Sequence, residues 1–483
     1  MKDLSLIEII DQIKTWKTTS EEVFQYFLKR IEKYDEKVQS FNFVNTSGLT
    51  QNTDTVLAGA PIGIKDIFCE TGIPTTCGSK MLEGFLPPYD ATVIQHLKEA
   101  GMSSIGKLNM DEFAMGSTCE TSYYRKTLNP WGTNRIPGGS SGWSAAAVAA
   151  GLVPAALGTD TGWSIRQPAS MCNVVGFKPS YGRLSRFGVI PMASSLDCPG
   201  MFTKTVKDSG LLYDIMNGYD PKEHTSLNAK DIINPEIWSK KDLKWIKVGI
   251  PKEYFEEWLD EWVKTTVLEA INKLRELWAE IKEISLPMTK YWVATYYIIM
   301  PAEVSTNLAR FDWIRYGHNS DLPYANMDEL YENNRGEWFG DEVQRRIILG
   351  SYVLSAWFYD AYFKKAWQIR TLIIEEFKKA FEEVDVIVSP ASPSVAWKLG
   401  EKSDDPVKMY LSDAYTIPAS LAWLPGISIP CGFATSEDAE KELLPVGLQI
   451  LWAQFDDQKV LEVAHVYEQA TTWHKQNPSW FED

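Results

Sequence analysis

The chain has 483 residues, and its 48 Lys and Arg against 64 Asp and Glu give a formal net charge of −16. That balance argues against a direct grip on nucleic acid, whose phosphates recruit basic surfaces. Length alone leaves one to three domains open, and 45% apolar residues suffice for a sizeable core.

The N-terminus, Met1 to Trp16, mixes Asp3, Glu8 and Asp11 with its apolar residues. It is unlike the basic-then-apolar pattern of a signal peptide, so a cytoplasmic protein is expected. Two amphipathic helices follow, Leu4 to Lys14 and Ser20 to Tyr34, the second opened by a Thr19-x-x-Glu22 capping box. From Ala58 the texture changes to short apolar runs punctuated by Gly and Pro: Ile62 to Phe68, Ala91 to Ala100, Ser103 to Lys107 and Gly138 to Phe177. Strands alternating with helices predict an α/β fold. Ser144 to Leu157 is almost wholly Ala, Val, Gly and Leu, but it contains Pro154 and falls short of the ~18 to 20 residues of a membrane span. It reads as a buried helix running into a strand. After a polar excursion at 220–245 come a strand (Ile246 to Ile250), a helical region (263–282 and 300–383) and the short buried strand VDVIVS, Val384 to Ser389. A helix (Leu411 to Ala422), two strands (Ile427 to Pro430, Val446 to Leu451) and a helix (Gln458 to Thr471) close the chain. The strands of both ends are expected to share one large mixed sheet covered on both faces by helices. One domain, 1–483, is expected, with its core at about 58–200 and C-terminal elements at 384–475 returning to the same sheet.

Six cysteines (Cys69, Cys77, Cys119, Cys172, Cys198, Cys431) form no Cys-x-x-Cys pair, which fits free thiols in a reducing compartment and spells no zinc site. Three stretches are rich in Gly and Ser beside apolar runs: Gly63 to Asp66, Gly138 to Gly142, and Gly158 to Pro168. Lys65 lies between Ile64 and Ile67, where burial would lower its pKa toward neutrality; snorkelling to the surface or pairing with Asp66 is the competing reading. Gly138-Gly139-Ser140-Ser141-Gly142 matches a nucleophile elbow literally, yet that chemistry needs a histidine base. The five histidines (His96, His224, His318, His465, His474) sit in polar or helical contexts with no Gly-rich loop beside them. No phosphate-binding G-x-x-x-x-G-K-[ST] occurs. What remains is a hydroxyl nucleophile served by a neutral lysine.

The run GGSSGWSAAAVAAG followed by GTDTGWSIRQPAS resembles the amidase signature family, whose pattern is GGSSGGS and GTDTGGSIR. PIGIKDIF (61–68), NMDEFAMGST (109–118), YGRLSRFGVIPMASSLD (181–197), FGDEVQRRIILG (339–350) and MYLSDAYTIPASLA (409–422) extend the resemblance. They are similar to the glutaminase subunits of amidotransferases acting on aspartyl- and glutamyl-tRNA. The resemblance implies a Ser-Ser-Lys triad, with Ser164 the nucleophile, Ser140 the bridging serine on a cis peptide, and Lys65 the terminal base. It implies an oxyanion hole of backbone N–H groups from Thr161, Gly162, Trp163 and Ser164. For glutamine it implies Arg346, or its neighbour Arg345, on the α-carboxylate, Asp413 on the α-ammonium, and Tyr297, or Tyr296 beside it, lining the pocket. Without it, a helix-surface salt bridge would be the better reading of Arg346 and Asp413. It further implies a heterotrimer in which this chain joins two amidotransferase partners, the B and C subunits, with tRNA, ATP and Mg held mainly by the B subunit. No cofactor, metal or membrane contact is implied in this chain. The alternatives are a stand-alone amidase for small carboxamides and, if Trp163 is genuine, an inactive subunit.

The departures from the family pattern are nearly all one substitution. Trp143 and Trp163 stand where the two signature loops have glycine. Trp16, Trp245, Trp258, Trp278, Trp313, Trp338, Trp357, Trp423 and Trp452 also fall where the family's glutaminase subunits usually have it. Trp131 and Trp473 match family tryptophans. Drift does not choose the largest side chain to replace the smallest eleven times, so the pattern implies a source that reads UGA as glycine. Trp163, as written, is expected to be strained or to put an indole in the acyl pocket, leaving an inactive protein.

Overall fold

A computed structural model describes all residues except 229–230, 257–258, 313–316, 318, 402–405, 436–441, 480 and 482–483. The apolar runs become β1 (Phe41–Val44), β2 (Pro61–Lys65), β3 (Ser103–Leu108), β4 (Ala155–Asp160), β5 (Val175–Lys178) and β6 (Cys198–Thr203). They are followed by β7 (Lys247–Pro251), β8 (Glu280–Ile284), β9 (Val386–Pro390), β10 (Gly426–Ala434) and β11 (Leu444–Trp452). All eleven belong to one mixed sheet in the order β1-β3-β2-β4-β6-β5-β10-β11-β9-β7-β8. The two ends of the chain meet where β5 pairs antiparallel with β10, Phe177 opposite Ile427. Every residue of β2, β4, β6 and β9 is buried, which is why these strands read as continuous apolar runs without alternation.

Local signals act as expected at the N-terminus. Glu22 N donates to Thr19 Oγ1 (3.1 Å) and Thr19 N to the Glu22 carboxylate (2.9 Å), opening the helix Ser20–Val38. A second box, Ser5 with Glu8, opens the helix Leu6–Lys14 and was not read from sequence. Ser144 to Leu157 is indeed a buried helix, Gly142–Ala149, turning at Gly151 into β4.

Three expectations need correction. The helical region at 263–282 ends at Glu276, and Glu280–Ile284 is β8 at the sheet edge. An edge strand has few buried positions, so its Glu and Lys mimic a helix surface until parallel pairing with β7 decides. The region 300–383 is four helices, Trp292–Asn307, Met327–Trp338, Asp341–Leu354 and Lys364–Glu383. The helix expected over Leu411 to Ala422 is broken into Pro406–Leu411 and Ile417–Leu421. Pro418 lies in the first turn of the second, where a missing N–H removes no helix bond, and Asp413 falls in the break.

One side chain joins these pieces. Arg166, in the helix Arg166–Cys172, is fully buried and paired with Asp160 at the end of β4 through Nε (3.0 Å) and Nη2 (2.9 Å). Its Nη1 donates to the Thr416 carbonyl and to Gln449 Oε1 of β11, both at 2.8 Å, and Nη2 also reaches the Gly162 carbonyl at 2.8 Å. Burial acts to raise the Asp160 pKa, but Arg166 outweighs it and holds the carboxyl below the usual range. Arg166→Met, which strands that carboxylate, is expected to lower the unfolding free energy by about 3–5 kcal/mol in urea titrations near neutral pH. Because the folded pKa is depressed, the stabilisation is complete above the ordinary carboxylate range and fades as pH falls through it. The gap between parent and variant should therefore narrow in acid.

Candidate active site

β2 and β4 run parallel, with Gly63 opposite Ala156, so their C-terminal ends present Lys65 and the loop after Asp160 at one edge of the sheet. The Gly138–Gly142 loop, with a cis peptide between Gly139 and Ser140, closes over the same edge. Lys65 is wholly buried and neither snorkels nor pairs with Asp66, whose carboxylate turns to Lys107 at 3.3 Å. Its Nζ lies 2.8 Å from Ser140 Oγ, 2.7 Å from Ser141 Oγ and 2.9 Å from Thr159 Oγ1. Burial pushes the Lys65 pKa down to about 7, against the pull of Asp111 and Asp160. A neutral amine keeps two N–H donors and one lone pair. Ser141 directs its own proton to the Thr159 carbonyl (3.1 Å), so it accepts a hydrogen bond from Lys65 and cannot donate one to it. Ser140 and Thr159 are the hydroxyls left to donate to the lone pair. Ser141 and Thr159 were missed in the sequence, although both lie inside the two signature loops.

Ser164 is buried two residues before Arg166, and its Oγ has no hydrogen-bond partner among the described residues, Ser140 included. Asp160 Oδ2 accepts the N–H groups of Ile165 (3.1 Å) and Arg166 (3.3 Å). The preceding N–H groups of Thr161, Gly162, Trp163 and Ser164 donate to no described protein atom. Such a run of unspent donors can take an anion. Thr161 Oγ1 donates to Asp197 (2.8 Å), whose pKa burial raises to about 6. Gly162 is needed for space, since a Cβ there would come within 2.9 Å of the Tyr296 ring.

Of the two candidate arginines the structure buries Arg346 and leaves the Arg345 side chain 48% exposed. Arg346 Nε donates to Glu342 (2.8 Å), and its guanidinium lies over the rings of Tyr297 (5.7 Å) and Tyr410 (5.9 Å). Its Nη2 is buried without a partner, as are the hydroxyls of Tyr296 and Tyr297. Burial works against the Arg346 charge, but Glu342 more than restores it. Asp413 accepts from Ser117 Oγ (2.7 Å) and Gln167 Nε2 (2.9 Å), while Gln167 Oε1 accepts from Gly139 N (3.1 Å). Glu342, Tyr410 and Gln167 carried no sequence signal of their own. Trp163 fills the space between, its ring 5.2 Å from Tyr296 and 6.2 Å from Tyr297, with Nε1 donating to the Gly116 carbonyl (3.2 Å). It is not in the left-handed region, so the expected backbone strain is absent and the conflict at 163 is one of volume. Among the described residues no His, Cys, Asp and Glu group is arranged to hold a metal, and no helix is long and apolar enough to cross a membrane. His96 and His465 face the carbonyls of Met216 and Trp238, and His318 lies outside the described residues.

Residues 22–461 match the model of the family described as Amidase. The chain is 49% identical over 492 residues to the A subunit of the glutamyl-tRNA(Gln) amidotransferase of Nitrosococcus oceani, covering 100% of both chains. To the protein of the same name from Geobacillus sp. it is 50% identical, covering 93% of this chain and 94% of that one. The crystal structure of the protein of that name from Thermotoga maritima superposes with a TM-score of 0.82 at 40% identity, covering 97% of this chain and 95% of the other.

Lys65 should leave a signature independent of activity. Between pH about 7 and about 10 an unfolded lysine is still protonated while folded Lys65 is not, so stability rises with pH across that window. Measured against Lys65→Met, the parent should gain up to about 1.4 kcal/mol per pH unit there and nothing below it. Parallel pH profiles would put the charge back on the buried amine.

Proposed function

The chain belongs to the amidase family, and from that premise we propose that it is the glutamine-hydrolysing subunit of a tRNA-dependent amidotransferase. The observation that carries this reading is the buried Lys65 amine 2.8 Å from Ser140 Oγ, a base matched to neutral pH. Lys65 takes the proton of Ser140 as Ser140 takes that of Ser164, and Ser164 Oγ attacks the carboxamide carbon of glutamine. The oxyanion is held by the N–H groups of residues 161–164. The C–N bond breaks as the same relay returns a proton to nitrogen, and ammonia leaves. Water then attacks the Ser164 ester with Lys65 and Ser140 again accepting the proton, releasing glutamate and restoring Ser164. Arg346 Nη2 takes the α-carboxylate, Asp413 the α-ammonium, and Tyr297 walls the pocket. Ammonia passes to the partner B subunit, which amidates Glu-tRNA(Gln) with ATP and Mg, in a cytoplasmic complex that the C subunit completes. The acidic charge of this chain suits a component that leaves tRNA to its partner. The stand-alone amidase reading is disfavoured by full-length relatives that carry the amidotransferase name.

With Gly placed at 143 and 163 and the partner subunits present, Ser164→Ala should abolish glutamyl hydroxamate formation from glutamine and hydroxylamine without moving the thermal midpoint. Near-parental rates would remove Ser164 from the nucleophile's role. Arg346→Ala in the same background should raise the glutamine KM at least about 30-fold, the loss of a buried charge-assisted contact, and spare simple amides that lack a carboxylate. Equal losses on both substrates would make Arg346 structural and revive the stand-alone amidase.

A further inference from the structure

Twelve described residues other than glycine have a left-handed backbone, and four of them are tryptophans: Trp16 (φ 59°), Trp245 (72°), Trp278 (73°) and Trp423 (60°). Three close helices in one way. Trp16 N donates to the Ile13 carbonyl and Lys17 N to Gln12, Trp278 N to Arg275 and Ala279 N to Leu274, Trp423 N to Ser420 and Leu424 N to Ala419. This is the Schellman pair of bonds, whose central residue is left-handed and is usually glycine because a Cβ is disfavoured there. Two other helices of this chain end with the same pair, and both use glycine, Gly101 and Gly151. Trp245 sits third in a turn closed by Ile246 N donating to the Leu243 carbonyl, the place where a type II turn requires positive φ. The residues at 16, 245 and 278 are 84%, 92% and 68% exposed, so little packing offsets the unfavourable backbone there, whereas the Trp423 indole donates to the Ser195 carbonyl (2.8 Å) and stacks on Tyr181.

Position 163 reaches the same conclusion by a different route. Its indole occupies the space bounded by Tyr296 and Tyr297, and its single N–H goes to the Gly116 carbonyl. The hydroxyls of both tyrosines and Arg346 Nη2 stay buried and unpartnered. An indole has no acceptor for them, whereas an amino acid brings a carboxylate, and glutamine a carboxamide as well.

We propose that positions 16, 163, 245, 278 and 423 carry glycine in the protein made by its source, and that the residue at 163 decides whether the pocket admits glutamine or is filled by an indole. One codon read as glycine in the source and as tryptophan in this chain accounts for the five positions together. The identity of the ligand rests on the function proposed above; the left-handed positions do not. Of the other sites of the same pattern, Trp143, Trp338, Trp357 and Trp452 do not have a left-handed backbone, and Trp258 and Trp313 lie outside the described residues.

Peptide mapping by mass spectrometry of the protein isolated from its own source tests the residue directly. Peptides spanning the five positions should each be lighter by the difference between an indolylmethyl group and a hydrogen. Tryptophan at 163 in that protein would overturn the proposal and leave an inactive protein. Two recombinant variants, assembled with the partner subunits, test the division of roles. Trp163→Gly should bind glutamine at least about 100-fold more tightly than the chain as written by calorimetry, since an open site replaces a filled one. The threefold variant Trp16→Gly, Trp245→Gly and Trp278→Gly should raise the thermal midpoint and leave glutamine binding as weak as before. Equal glutamine affinity with Trp or Gly at 163, or a lower midpoint in the threefold variant, would overturn the corresponding half. A Trp163→Gly complex that turns over simple amides but ignores glutamine would overturn the glutaminase reading and the pocket half of this proposal with it, while glycine at the five positions would still stand or fall by the peptide masses.

Discussion

The arrangement of the site depends on the buried Arg166 guanidinium. Its planar fork reaches Asp160, Gly162, Thr416 and Gln449 at once, so the end of β4, the loop that follows it, the break before the helix Ile417–Leu421 and β11 share one fixed point. A lysine at this position would offer a compact charge without the flat set of directed donors. Because Asp160 spends its second oxygen on the N–H groups of Ile165 and Arg166, the loop is held from below. The four N–H groups before them are left unspent. Preorganised donors of this kind stabilise developing charge without reorganising during reaction.

Around Lys65 the constraint is the opposite one, the exclusion of a close counter-ion. Three hydroxyls surround Nζ, and the nearest carboxylate in sequence, Asp66, points away because successive strand residues face opposite sides of a sheet. A carboxylate in direct contact would have stabilised the ammonium and cost the amine its basic role at neutral pH. The hydroxyls satisfy the nitrogen without restoring its charge, and Ser141, with its proton committed to the Thr159 carbonyl, leaves Ser140 and Thr159 to donate to the lone pair, as the proposed relay requires of Ser140.

The residues proposed for substrate recognition and those proposed for catalysis are joined by hydrogen bonds in this fold. Asp413 is tied through Gln167 to the Gly139 N–H, next to the serine that Lys65 engages. A change at the residue proposed to hold the ammonium is thus felt in the loop carrying Ser140 through two hydrogen bonds. Arg346 comes from a distant helix and is held by Glu342 and stacked aromatic rings, so the two ends of the pocket are supported independently.

Interactions within a few residues were legible in the sequence: the Thr19–Glu22 box, the buried apolar strands, the helix running into β4, and the Gly- and Ser-rich loops that hold Ser140 and Ser164. The apolar neighbours of Lys65 left burial and snorkelling both open, and only the packing of the sheet decided for burial. Pairing across long separations was not legible. β8 is a strand only because β7 lies beside it, Asp413 falls in a break between helices only because Pro418 starts a new one, and Arg346 rather than Arg345 is buried only by the face of the helix that packs inward. The tryptophans divide along the same line. Their number was plain from composition, but a left-handed φ is a property of how a helix ends, and a filled pocket is a property of which walls meet, so only the tertiary structure could separate 16, 245, 278 and 423 from 163.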